Sequence, residues 1–286
     1  MAEILSGTNL AQTIRAELKE KTEEMKKQGT VPGLAVILVG EDPASKVYVR
    51  NKTKACEEIG FYHEQYNLPA SISEAEILDL VDTLNHSEKI HGILIQAPLP
   101  KGLDFKNIIN HIDPDKDVDA FHPYNVGQIM IGDFEFLPCT PAGVMELIHS
   151  SGVSVEGKNC VVVGRSNIVG KPQAMLLLKE NGTVTVCHSR TPNLADYTRN
   201  ADILVSAVGK AELITGDMIK PGAVVIDVGM NRNEEGKLVG DVDFATAEPV
   251  VGYITPVPGG VGPMTITMLM KNTLRAAQKW AKKKNL

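Results

Sequence analysis

The sequence predicts an α/β protein with two α/β domains, the C-terminal one a Rossmann-like, doubly wound parallel sheet. The 286 residues are enough for two ordinary domains. Continuous apolar runs, which suit parallel strands covered on both faces, occur at 32–40 and 91–100. In the second half such runs alternate with helical or turn segments, which is βαβ patterning, at residues 159–164, 183–188, 201–208 and 222–229.

Amphipathic helices separate the strands of the first half. Periodicity predicts helices over 8–28 and 73–88. Between them, Asp42 as N-cap and Pro43 at the first helical position open a helix that runs to Gly60.

These elements define the expected domains. We expect a substrate domain over residues 1–138 and a nucleotide domain over residues 139–262. A long helix beginning at Pro263, over residues 263–286, is expected to pack back on the first domain.

The composition excludes several classes of function. A net charge of −6 gives no basic excess for nucleic acid. The chain has no apolar run of membrane-spanning length and no signal-peptide layout at its N-terminus. The scattered cysteines fit a reducing compartment, so we expect a cytoplasmic protein.

No metal site is predicted. The four cysteines form no C-x-x-C pair, and no His/Cys spacing suggests zinc. Alternating aspartates over 113–119 begin like an EF-hand loop, but Val118 replaces the required glycine and Tyr124 the closing glutamate. We therefore expect this acidic run to be a solvated loop.

A glycine-rich turn follows the strand at 159–164. It runs from Gly164 to Pro172, at a strand end and before a helix, where backbone N–H groups stabilise dinucleotide phosphates. The match to G-x-G-x-x-G is imperfect, because Ser166 replaces the second glycine and Gly170 comes one residue late. A P-loop fits less well, since Pro172 stands where Ser or Thr would bind magnesium.

The end of the next strand indicates which nucleotide binds. An NAD site favours an acid there, whereas this sequence has Ser189 and Arg190. Together with Arg165, these side chains would attract a 2′-phosphate, which predicts NADP. The alternative is that both arginines are ordinary surface charges.

A lysine lies on the apolar stripe of the helix from Pro43 to Gly60. At 100° per residue, Tyr48 and Lys52 share the face with Ile59. Lys52 is then either a snorkelling side chain with its ammonium in water, or a desolvated acid–base group in a cleft. Gln96, at the end of a buried-strand run, offers an amide that can orient an amine.

The segment 258–265 combines three glycines with a helix start at Pro263. Glycines let backbone approach a ligand closely, and the N-terminus of the helix would face that ligand. This segment is therefore a further candidate binding loop.

Taken together, these segments resemble the bifunctional methylenetetrahydrofolate dehydrogenase/cyclohydrolase family. They occur in the family's order, cover nearly the whole chain, and are jointly specific: PASKVYVRNKTKACEEIG, GILIQAPLP, DPDKDVDAFHPYNVG, PCTPAG, VVVGRSNIVGKP, HSRT, SAVGK, VIDVGMNR, GDVDF and PVPGGVGPMT.

The resemblance implies two α/β domains with a cleft between them, and usually a homodimer formed through the nucleotide domain. It implies oxidation of 5,10-methylenetetrahydrofolate to the 5,10-methenyl cation by hydride transfer to NADP. Hydrolysis of that cation then gives 10-formyltetrahydrofolate. The expected partners are a small-molecule folate and a second copy of the chain, with no nucleic acid and no membrane.

The resemblance also assigns residues. In the family's YVxxK motif the lysine is catalytic and the tyrosine packs on the folate, which match Lys52 and Tyr48. Gln96 matches the glutamine that contacts the lysine, and Asp119 the acid that holds the pterin ring. The family's positions near NADP match Gly164, Arg165, Ser166, Ser189, Met230, Gly262 and Thr265.

Two positions depart from the family's pattern. Ala97 stands where leucine usually follows the glutamine, and Ala120 stands where glycine usually follows the aspartate. Both positions are expected at the folate pocket, where they bear on substrate affinity.

Rival functions explain less of the sequence. Another two-domain NADP dehydrogenase, such as a shikimate-type enzyme, does not account for Lys52, Gln96 and Asp119 together. A monofunctional dehydrogenase should lack the lysine, because hydride transfer needs positioning more than a base. Outside enzymes, the alternative is a nucleotide-sensing binding module, which would show no turnover.

Overall fold

The structure is a computed structural model that describes residues 2–284. Its helices are α1 (Gly7–Lys27), α2 (Pro43–Ile59), α3 (Glu74–His86), α4 (Phe105–His111), α5 (Pro123–Ile131), α6 (Cys139–Ser150), α7 (Gly170–Lys179), α8 (Leu194–Thr198), α9 (Phe244–Ala247) and α10 (Val261–Lys284). Its strands are β1 (Glu3–Ile4), β2 (Gly33–Val39), β3 (Tyr62–Leu68), β4 (Gly92–Ile95), β5 (Asn159–Val163), β6 (Thr183–Cys187), β7 (Ile203–Ser206), β8 (Val224–Asp227), β9 (Asn231–Arg232), β10 (Leu238–Val239) and β11 (Tyr253–Ile254).

The chain divides into two compact units. The large-sheet unit comprises residues 2–12 and Thr140–Thr265, and the small-sheet unit comprises Thr13–Cys139 and residues 266–284. Helices α1 and α10 each begin in the large-sheet unit and continue in the small-sheet unit.

The large-sheet unit is built on a parallel sheet that, within residues 2–284, has six strands in the order β1-β11-β8-β7-β5-β6. The apolar runs of the second half form β5 to β8, so the predicted fold class is confirmed. Buried side chains such as Val161, Leu204 and Val225 form its core. The connection after β5 leads to β6 on one side, and the connection after β7 leads to β8 on the other side. The strand order therefore reverses between β5 and β7, and ligands of such sheets bind there, outside the carboxyl ends of the strands.

The strands β1 and β11 were not found in the sequence. Each has two residues, which is too short to show a periodic pattern. Glu3 pairs with Tyr253, and residues 2–12 belong to the large-sheet unit rather than to the first domain expected from the sequence.

The small-sheet unit contains a parallel sheet in the order β3-β2-β4. All residues of the central strand β2 are buried, as its continuous apolar run predicted. The edge strand β3 was not predicted, because its sequence YHEQYNL is polar and several of its side chains are exposed.

The start of α2 follows its predicted capping signals. The Asp42 carboxylate accepts a hydrogen bond from Ser45 N at 2.8 Å, and Pro43 occupies the first turn. Gly60 ends the helix with a φ of 85°, a left-handed conformation that glycine adopts at little cost. Helix α5, which the sequence analysis did not identify, begins after His122 as N-cap.

Helix α10 packs within the small-sheet unit after its first turn. The side-chain amide of Asn272 donates to the carbonyl oxygens of Val118 and Leu137, each at 2.8 Å. No helix of the described chain is long and apolar enough to cross a bilayer.

Candidate active site

Helix α2 and the end of β4 bring Lys52 and Gln96 together. The Lys52 ammonium donates a hydrogen bond of 2.9 Å to Gln96 Oε1. Gln96 is itself held, since its backbone N–H donates to Ile37 O and its side-chain amide donates to Ala97 O. The amide therefore fixes the lysine at the carboxyl edge of the small sheet.

Lys52 is buried rather than snorkelling. The residue is only 8% exposed, and Tyr48, one turn earlier on the same face, is half-buried. Burial lowers the pKa of Lys52, whereas the nearby Asp119 carboxylate opposes that shift by stabilising the ammonium. The geometry thus supplies an amine that exchanges protons more readily than a solvated lysine does.

Asp119 lies close enough to Lys52 for the two charges to interact. Burial raises the pKa of Asp119, while the Lys52 ammonium and the neighbouring Cys139 thiol favour the carboxylate. Periodicity alone did not bring Cys139 into the site; its only sequence signal was the motif PCTPAG.

The sequence predicts a solvated loop for the acidic run that precedes Asp119. The structure contradicts this prediction. Asp115 forms ion pairs with Lys279 and Lys283 of α10. Asp117 is 1% exposed, and its Oδ2 accepts hydrogen bonds of 2.8 Å from His122 N and Asn125 Nδ2. Asp117 thereby fixes the turn that carries Asp119 to the start of α5.

Ala120 adopts a φ of 56° and is fully buried. This left-handed conformation costs a residue with a Cβ about 1–2 kcal/mol, whereas glycine takes it freely. Ala120, where the resemblance implies glycine, therefore holds this turn under strain.

The glycine-rich turn after β5 is closely packed. Gly164 has a φ of 130°, and a Cβ there would overlap the carbonyl oxygen of Ala207. A Cβ on Gly170, the first residue of α7, would overlap the carbonyl oxygen of Gly164. Ser166 Oγ accepts hydrogen bonds from Val169 N at 3.1 Å and Gly170 N at 3.3 Å. These contacts order the turn at the carboxyl end of β5, the position at which dinucleotide phosphates bind in such sheets.

The predicted 2′-phosphate residues follow adjacent strands. Val163 and Cys187 are in register at the ends of β5 and β6, so Arg165, Ser189 and Arg190 emerge at neighbouring positions. All three side chains are exposed. Within residues 2–284 neither guanidinium has a hydrogen-bond or ion-pair partner, so both are available to an anion.

The remaining candidate positions lie at the start of α10. A Cβ on Gly262 would come within 3.9 Å of Met230 Sδ, so these two positions meet. Thr265 Oγ1 lies 3.0 Å from Thr140 Oγ1. The neighbouring Gly260 is closely packed, because a Cβ there would overlap the carbonyl oxygen of Pro256.

Comparison with known proteins identifies the family. Residues 5–119 match the model of the tetrahydrofolate dehydrogenase/cyclohydrolase catalytic domain, and residues 138–281 match that of its NAD(P)-binding domain. The chain belongs to this family. Within this family, the chain is 61% identical over 283 residues to the bifunctional protein FolD of Acetivibrio thermocellus. The aligned residues cover 99% of each of the two chains.

Solved structures of family members agree with this assignment. The chain superposes on the bifunctional enzyme FolD from Campylobacter jejuni with a TM-score of 0.95 and 49% identity, covering 98% of this chain and 99% of that one. The N5,N10-methylenetetrahydrofolate dehydrogenase-cyclohydrolase of Trypanosoma brucei was solved with NADP and an inhibitor. It superposes with a TM-score of 0.95 at 42% identity, and the superposition covers 98% of this chain and 99% of that one.

Proposed function

We propose that this chain oxidises 5,10-methylenetetrahydrofolate with NADP and hydrolyses the resulting methenyl cation to 10-formyltetrahydrofolate. The observation that carries the proposal is the buried Lys52 ammonium, bonded to Gln96 and electrostatically coupled to Asp119, in a chain of this family. A buried lysine with an amide partner and a carboxylate neighbour suits proton transfer and not mere packing.

Bound NADP supplies the hydride acceptor for the first step. The chain's own contribution is positioning, because the nitrogen lone pairs beside the reacting carbon stabilise the cation without a base. We propose that Gly164, Ser166, Met230, Gly262 and Thr265 line the cofactor.

The preference for the phosphorylated cofactor rests on three side chains. We propose that Arg165, Ser189 and Arg190 bind the 2′-phosphate, supported by their exposure at adjacent strand ends and the unpaired guanidiniums within the described chain. A guanidinium matches phosphate oxygens with paired hydrogen bonds.

The second step requires proton movement. Water adds through its oxygen to the cationic carbon and loses a proton. The bond from that carbon to N5 then breaks as the new hydroxyl loses its proton and N5 gains one, which leaves the formyl group on N10. We propose that the Lys52 amine accepts the first proton and returns one to N5, while Gln96 holds the amine in place.

Two further residues orient the folate in this proposal. The ring of Tyr48, on the same face of α2 as Lys52, packs against the folate. The Asp119 carboxylate accepts hydrogen bonds from the pterin's amino and ring N–H groups, and a charged acceptor strengthens such bonds.

We also propose that the chain forms a homodimer through its large-sheet unit in the cytoplasm. The edge strand β6 and its 38% exposed Val186 offer a surface for association. The four cysteines are free and buried, which fits a reducing compartment. Sedimentation of the purified chain tests the dimer, and a monomer at micromolar concentration would contradict it.

The function is tested by supplying methylenetetrahydrofolate and NADP and recording the nicotinamide and methenyl absorbances together. The proposal predicts reduction of NADP without accumulation of the methenyl cation. Accumulation of that cation would indicate a monofunctional dehydrogenase, and the absence of turnover would indicate a binding module.

A further inference from the structure

A buried carboxylate in the large-sheet unit has no role in the chemistry above. Asp241 is fully buried, and both its oxygens accept hydrogen bonds. The donors to Oδ2 are Ser206 Oγ at 3.2 Å, Val208 N at 2.7 Å and Gly209 N at 3.3 Å, and the donors to Oδ1 are Lys210 N and Asn231 Nδ2, both at 2.9 Å. A single side chain therefore ties together two separate loops.

Both loops lie at the carboxyl edge of the large sheet. Residues 207–210 follow β7, and Asn231 belongs to the segment that follows β8, directly after Met230. Strands β7 and β8 are neighbours, with Ser206 opposite Asp227. Asp241 thus holds the segment that carries Met230 to the loop after β7.

The loop after β7 also supports the nucleotide turn. Strand β7 pairs with β5, and Ala207 N donates to Val163 O at 2.7 Å. The carbonyl of Ala207 is the group that a side chain on Gly164 would overlap. A shift of this loop would therefore move the surface against which the nucleotide turn packs.

A second buried carboxylate holds Asp241 in turn. Asp227 accepts hydrogen bonds from Gly229 N and Asp241 N at 2.9 Å, and from Val242 N at 2.8 Å. A Cβ on Gly240 would overlap the Asp227 carboxylate, and a Cβ on Gly229 would overlap Asp241. The backbone closes over both carboxylates with no space for a further side chain.

We propose that Asp241 is a positioning residue for NADP, which sets the geometry of the loops after β7 and β8 without touching the cofactor. This proposal rests on the proposed function and assigns a role to the family motifs SAVGK, VIDVGMNR and GDVDF, which meet at this side chain.

An asparagine cannot replace this carboxylate. All five neighbours are donors, so either orientation of an amide places its NH₂ group against at least one backbone N–H of residues 208–210. That N–H then loses its acceptor, and the loop must move to relieve the contact.

The test compares Asp241→Asn with Asp202→Asn. Asp202 lies at the opposite edge of the same sheet, where it accepts from Asn159 N at 2.9 Å and pairs with Lys220 at 2.6 Å. For each variant, calorimetry gives the NADP dissociation constant, and methenyl hydrolysis is measured without NADP. We expect Asp241→Asn to weaken NADP binding by about tenfold or more while hydrolysis stays at the wild-type rate. Asp202→Asn should lower the melting temperature and leave the NADP affinity unchanged.

An Asp241→Asn protein that binds NADP as the wild type does would overturn the inference, as would a parallel loss of hydrolysis. If that variant does not fold, Ser206→Ala removes one donor from Oδ2. It should weaken NADP binding by about two- to threefold, and wild-type affinity would overturn the inference. A wild-type chain that does not bind NADP would instead contradict the proposed function.

Discussion

Replacing His91 by asparagine should reduce the loss of stability that we expect for the wild-type chain below neutral pH. The His91 ring is 3% exposed and contacts Trp280 edge-on, with ring centroids 5.1 Å apart. Its Nδ1 accepts a hydrogen bond from Gly33 N at 3.1 Å. Burial, assisted by the charge of Lys116, lowers the pKa of His91 from 6.5 to about 4.

The direction of the effect follows from this depressed pKa. Between pH 6.5 and about 4 the unfolded chain binds a proton at His91 that the folded chain does not. The stabilisation by the neutral ring is therefore complete above the unfolded pKa of 6.5 and is lost progressively as the pH falls from there through the folded pKa of about 4. Linkage gives a loss of about 2 kcal/mol between about pH 7 and pH 5.

Asparagine keeps an acceptor for Gly33 N but cannot titrate. The variant should be less stable at neutral pH by about 1 kcal/mol, because it loses the Trp280 contact. Thermal melts at the two pH values should show the wild type losing roughly 4–8 °C more than the variant. Equal losses would mean that His91 titrates normally in the folded protein and would refute the reasoning.

Three predictions concern two residues of the proposed ligand sites, Arg165 and Asp119. Arg165→Ala should weaken binding of NADP by about tenfold or more and that of NAD little, since only NADP carries the 2′-phosphate; equal losses in calorimetry would remove Arg165 from that subsite. Asp119→Asn should raise the folate KM, because a charged acceptor contributes about 1.5–3 kcal/mol per bond, while NADP affinity stays unchanged. The same change removes the charge that stabilises the Lys52 ammonium, so the pKa of Lys52 should fall further and the pH profile of hydrolysis should move to lower pH. A profile that stays in place would contradict this coupling.

The sequence predicts what depends on local pattern. Strands β2, β5, β7 and β8 are almost wholly buried, so their apolar runs are continuous and recognisable. The polar edge strand β3 has no such run and was not found. Helical periodicity placed Lys52 on the buried face of α2, which the structure confirms.

Contacts between distant residues could not be derived from pattern. The bond between Lys52 and Gln96 joins residues 44 apart, and only the resemblance connected them in the sequence. The sequence placed Asp117 in a solvated loop and showed Asp241 only as part of the motif GDVDF, because nothing in their neighbours along the chain shows that backbone N–H groups surround them. Their burial depends on how separate loops fold together.

The central claim is that Lys52 serves the hydrolysis and is dispensable for hydride transfer. Lys52→Met keeps most of the side-chain stem and removes the amine, while Lys54→Met is the matched control on the exposed side of α2. Methenyl decay and NADPH formation are recorded by absorbance on the same preparations. We expect Lys52→Met to lose about 10²- to 10⁴-fold in hydrolysis while dehydrogenase activity survives, and Lys54→Met to retain both activities. Hydrolysis by Lys52→Met at the wild-type rate would contradict the account.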